Sequence, residues 1–85
     1  SLVAESANYG GIIYALAFDG TYLYVGSNVI RRVLKINPSN MSLVAESADY
    51  GGVIRALAFD GTYLYVGGDT GIVWKMLRTV YRKEA

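Results

Sequence analysis

Hydrophobic and polar residues alternate along this chain with a period of two, in short blocks bounded by glycine and small polar residues, which predicts strands. The block Ile12 to Phe18 is apolar on both parities, with Ile13, Ala15 and Ala17 on one face and Ile12, Leu16 and Phe18 on the other. A strand of that kind expects burial on both sides and reads as the innermost of its sheet. Asp19-Gly20 follows and predicts a tight hairpin turn with positive φ. The next block, Tyr22 to Gly26, sets two tyrosines against a leucine and a valine, a composition that suits a half-buried pleat. A further strand is expected at about Arg32 to Asn37, and one at Leu2 to Ser6, where Leu2, Ala4 and Ser6 alternate with Val3 and Glu5. A helix over Ser1 to Ala7 competes for that last segment, but about seven residues before Tyr-Gly-Gly are too few to hold one.

The same pattern then returns. Ser1 to Gly26 recurs as Ser42 to Gly67 with a period of 41, differing only at Asn8/Asp49, Ile12/Val53 and Tyr14/Arg55. Beyond Gly26 and Gly67 one deletion realigns the copies, so that Val33, Leu34, Lys35 and Ile36 match Val73, Trp74, Lys75 and Met76. The chain therefore divides into units 1–41 and 42–85, the second ending in a basic tail. Each unit predicts four antiparallel strands, the copies in the second being Leu43 to Ser47, Val53 to Phe59, Tyr63 to Gly67 and Ile72 to Leu77. Asn37-Pro38-Ser39-Asn40 closes the outer hairpin, because proline fixes φ and brings no amide hydrogen. Near-identity of the units suits a recently amplified or engineered repeat.

Four antiparallel strands per unit of about 40 residues is the signature of a β-propeller blade. The string ALAFDGTYLYVGS followed by RRVLKINPSNMSLVAES resembles the repeats of YVTN-type and NHL-type propellers. In those, a hydrophobic A-x-D-G-x-x-L-Y-V hairpin precedes an outer V-x-K-I-x-P pair. The likeness runs to about Leu77; the chain lacks the Trp-Asp dipeptide, the kelch pattern and the S-x-D-x-G-x-T-W box of other propeller classes. It implies an all-β fold with two four-stranded blades per chain. It implies nothing specific about activity, since propellers host unrelated ones.

Composition then limits the chemistry. The 85 residues contain no cysteine and no histidine, which excludes disulfides, thiol nucleophiles, histidine bases and most zinc sites. No acid/base pair or activated nucleophile emerges from the serines and aspartates, so the chain reads as non-enzymatic, with no cofactor and no metal. A net charge of +1 supplies no field for nucleic acid or an anionic membrane, and no apolar run approaches the roughly 18 to 20 residues of a membrane helix. Ser1 falls on a repeat boundary with no leader before it, which reads as a trimmed chain or a mature piece of something longer. At 53% hydrophobic residues and mean hydropathy +0.28, so small a domain is expected to share apolar surface with a partner.

Two blades do not close a ring that typically takes four to eight. The expectation is a cyclic homo-oligomer: three copies and six blades are favoured, with tetramer and dimer as the other ring sizes. Small Ala15, Ala17, Ala56 and Ala58 on the inner strands favour fewer blades. Closure is expected where Leu2, Val3 and Ala4 of one copy meet Ile72, Val73 and Trp74 of the next, head to tail. In a rival arrangement Thr79 to Glu84 folds back as the chain's own outer strand. A second functional class, a binding module for a glycan or protein ligand, would use the loops of one end, with candidates Asn8, Tyr9, Asn28, Arg31, Asp49, Tyr50, Arg55 and Asp69. Turn formation is the competing role for Asp49 and Asp69, a plug between blades for the tyrosines, and a local salt bridge for Arg55.

Overall fold

A computed structural model describes residues 4–77. Seven strands run in chain order: β1 (Ile13–Phe18), β2 (Leu23–Ser27), β3 (Leu34–Asn37), β4 (Ser42–Glu46), β5 (Ile54–Phe59), β6 (Tyr63–Gly68) and β7 (Trp74–Leu77). They form two antiparallel meanders, a four-stranded sheet β1-β2-β3-β4 and a three-stranded sheet β5-β6-β7, with no helix among the described residues. The fold is all-β, and each sheet has the form of a propeller blade. Of the expected first strand, Ala4 to Ser6 carry no strand, and Leu2 and Val3 lie outside the described residues, as does the rival Thr79 to Glu84.

Both hairpins are built by an aspartate, and differently from the sequence expectation. The amide of Asp19 donates to the carbonyl of Tyr22 (3.1 Å), so the turn is centred on Gly20-Thr21, and only Gly20 takes positive φ (97°). Asp19 is the acceptor that ties the turn: its Oδ1 receives the amides of Thr21 (2.7 Å) and Tyr22 (2.6 Å), and its Oδ2 the hydroxyl of Tyr24 (2.8 Å). Asp60 does the same for Thr62, Tyr63 and Tyr65, with Gly61 at φ 104°. The donors at Asp60, the Tyr63 amide first, lower its pKa from 3.8 to about 2. Because the folded value is the lower one, this contribution is fully present above about pH 4 and is lost as pH falls through about 2. The urea midpoint is expected to drop across that window, and Asp60→Asn to flatten the part of the slope due to this carboxylate. A titration of the variant as steep as wild type would count against it.

Tyr14 and Arg55 are extra residues in β-bulges. Ile13 faces Ser27 and Ala15 faces Gly26, two steps on β1 against one on β2, and Ile54 and Ala56 repeat this against Gly68 and Gly67.

The main core lies between the sheets. Tyr24 and Val33 of the first blade meet Ile54, Leu64 and Val66 of the second, with Tyr50 of the connecting loop closing the margin. Leu57, Phe59, Trp74 and Met76 complete the second blade's side. A smaller cluster, Val25, Leu34 and Ile36 with Tyr9, Leu23, Ile30 and Met41, covers the opposite face of the first blade. The expected burial of the inner strand on both sides is not found in β1: Leu16 and Phe18 are exposed there. Their equivalents Leu57 and Phe59 are half-buried because the first blade stacks on them, and among the described residues the first blade has no such neighbour on that side.

Candidate functional site

The loops expected to form a ligand face do come together at one end, joined by their backbones. Asn28 donates its amide to the carbonyl of Ile12 (3.1 Å), Asp69 to Val53 (3.0 Å) and Tyr50 to Arg31 (2.7 Å). The polar candidates are taken up by this stitching. Asn8 and Asp49 each accept the amide two residues on, from Gly10 and Gly51 (2.8 Å in both cases). Asn28 Oδ1 accepts the amide of Ile12 (2.9 Å). Arg31 reaches Asp49 only at 4.0 Å, with both side chains about half exposed, an arrangement worth little. Arg55 donates to both oxygens of Asp69 (2.6 and 3.2 Å) and lies 4.9 Å above the ring of Tyr14. Their hydrogen bond, and behind it their opposite charges, raises the pKa of Arg55; the same hydrogen bond lowers that of Asp69.

The tyrosines of the Tyr-Gly-Gly turns serve packing. Tyr50 is buried, donates its hydroxyl to the carbonyl of Ile72, and meets the ring of Trp74 edge-on at 5.0 Å, so it pins one blade to the next. Tyr9 packs on the outer cluster of the first blade.

Two outer faces of the described residues leave apolar surface open. The first blade presents a groove of about 410 Å³ lined by Ile13, Leu16, Leu23, Val25, Ile36 and Met41 among others. The second blade presents, on its far side, Ala56 and Ala58, which are exposed, and Tyr65, which is half-buried. Ile72 and Val73 are also exposed. Beside them β7 ends its sheet among the described residues, whereas its equivalent β3 is covered by β4. The backbone of Trp74 sits on that open edge while its ring belongs to the core between blades.

The β3–β4 pair shows how such an edge is finished. Leu34 faces Glu46, Lys35 faces Ala45, Ile36 faces Leu43 and Asn37 faces Ser42. Beyond the strand, Ser47 accepts the amide of Val33 on its hydroxyl (2.8 Å) and donates its own amide to the Val33 carbonyl (2.9 Å). Val33, which also packs in the core between the blades, is fully buried, whereas Val73, its equivalent, is 71% exposed.

No family model matches the chain, and no curated protein matches it. In three dimensions it is similar to the crystal structure of a computationally designed protein, Ika4, with a TM-score of 0.78 at 17% identity. The match covers 91% of this chain and 48% of that one, so this chain spans about half the length of the designed protein. At that identity the likeness concerns the fold alone.

Proposed function

We propose that this chain is a non-enzymatic self-assembly module: a pair of blades of the YVTN/NHL-like kind that joins further copies of itself into a closed β-propeller, three copies and six blades. The observation that carries the reading is the edge of β7, which has no strand beside it among the described residues, in a chain that already contains its complement. Residues 1–5 have the same sequence as β4, and pairing on a neighbour's β7 in the β3–β4 register would put Glu5 opposite Trp74, Ala4 opposite Lys75 and Leu2 opposite Met76. Ser6 also resembles Ser47, each hydroxyl donating to the carbonyl of the next residue at 2.8 Å, which leaves the oxygen free to accept an amide such as that of Val73. An uncovered strand edge invites pairing of this kind, and a head-to-tail contact that closes on itself leaves none open.

Small alanines on β1 and β5, strands that pack against each other within the chain, support a ring of few blades. The near-identity of the two units suits an amplified or engineered repeat as their origin. A ligand-displaying role has less support, because its polar candidates are engaged in their own loops.

Light scattering on the full chain tests the reading. Three times the 9.2 kDa chain mass in one sharp species is the expected result. Twofold or fourfold mass would keep self-assembly and overturn the ring size, and a stable single copy at micromolar concentration would overturn the function.

A further inference from the structure

Pairing along β7 would join only the outermost strands of two copies; the broad faces remain to be explained. Within the chain the blade-to-blade contact has a definite geometry. Tyr24, held by its hydroxyl to Asp19, stands on the far face of the first blade and is fully buried against the second. Beside it, Gly26 leaves room for Ile54: a Cβ at Gly26 would collide with Ile54 Cγ2 and come within 3.1 Å of its Cβ. Both sides of this contact recur on the outside of the molecule. Tyr65, held to Asp60 in the same way (2.7 Å), is the equivalent of Tyr24 and is half-buried. Gly67 is the equivalent of Gly26, and a Cβ there would meet nothing within 4 Å. Ile13 is the equivalent of Ile54 and lines the groove of the first blade; it is 45% exposed, against 0% for Ile54. Residues alike in type and local sequence are buried between the blades and open at the two ends. The ends are thus the two halves of one contact.

We propose that the groove on the first blade is a binding site for the second blade of another copy, with Tyr65 entering between Leu16 and Leu23 and Ile13 closing onto Gly67. This inference rests on the self-assembly reading and adds which faces meet, in which direction, and through which side chains. The occupant is a second copy, because the only surface shown to fit a face of this kind is the one carrying Tyr24 and Gly26, and the second blade reproduces it. The preformed Tyr65–Asp60 bond fixes the tyrosine before docking, so little side-chain freedom is lost on association.

The chain has no cysteine, which makes crosslinking a direct test. Ile13→Cys with Gly67→Cys in one chain is expected to oxidise into a ladder of covalent multimers up to the ring size seen by light scattering, and neither single variant to go beyond a dimer. Gly26→Cys with Ile54→Cys, the same contact inside the chain, is the control and closes within one copy. Gly67→Val supplies a second arm: its side chain enters open space in the single copy, so circular dichroism stays that of wild type, while association weakens at least about tenfold. A wild type that assembles while the double-cysteine chain forms no ladder, or while Gly67→Val associates as before, overturns the face assignment and leaves self-assembly standing. A wild type that stays single overturns both.

Discussion

Truncating Tyr24 to alanine is expected to cost the folded chain about 3 to 5 kcal/mol, the range for removing a buried aromatic side chain. The ring is fully buried at the centre of the contact between blades, and its hydroxyl donates to Asp19. A small domain has only about 5 to 15 kcal/mol of stability in all, so the variant should lose a large fraction of it and unfold at a much lower urea concentration. Tyr24→Phe separates the two contributions: it keeps the ring, forfeits the hydrogen bond, and should cost about 0.5 to 1.5 kcal/mol. Urea denaturation followed by the fluorescence of Trp74 measures both, since that tryptophan reports from the same core. Equal losses for the two variants would mean that the hydroxyl, and not the packing, holds the blades together.

Ile54→Ala should be nearly as damaging, at about 2 to 5 kcal/mol. Ile54 fills the space left by Gly26 and is enclosed by both sheets, so little can relax into the cavity. Ile13→Ala deletes the same atoms from a position 45% exposed, and its cost to a single copy should be a fraction of that. Denaturation at concentrations where the chain is dilute makes the comparison, and a loss at Ile13 as large as at Ile54 would contradict it. Tyr24 and Ile54 share one core, so their double variant should cost less than the sum of the two.

Much of this architecture was written in the alternation of apolar and polar residues and in the 41-residue repeat. The seven strands that form have bounds within one or two residues of expectation, as in β1 starting at Ile13 instead of Ile12, while the expected first strand is not formed over Ala4 to Ser6. Asp-Gly marks both hairpins, but their centre lies one residue further on, at Gly-Thr, because the aspartate serves through its carboxylate as an acceptor for three donors and not as a turn conformer. Leu16 and Phe18 mark a strand whose composition suits burial on both sides, and the described residues cover only one side of β1. Composition records the environment a strand is made for. Of the residues that define the open faces, Tyr65 and Gly67 could not be singled out locally, since Tyr24 and Gly26 sit in the same words of sequence. Only the stacking order of the blades tells a buried tyrosine from an open one. The polar candidates at the loop end are recognisable in the sequence as loop residues; that Asn8, Asn28 and Asp49 accept backbone amides and Asp69 accepts from Arg55 follows only from how the loops close in space.

The two open faces are unlike each other, one hollow and one bearing a raised tyrosine, which gives every junction a polarity. Under the proposed contact, a copy altered only at Gly67 keeps an intact groove, so it can accept a normal neighbour on one side yet offers a blocked surface on the other. Mixed into unaltered protein it would act as a chain terminator, converting circles into short open arcs in proportion to its dose.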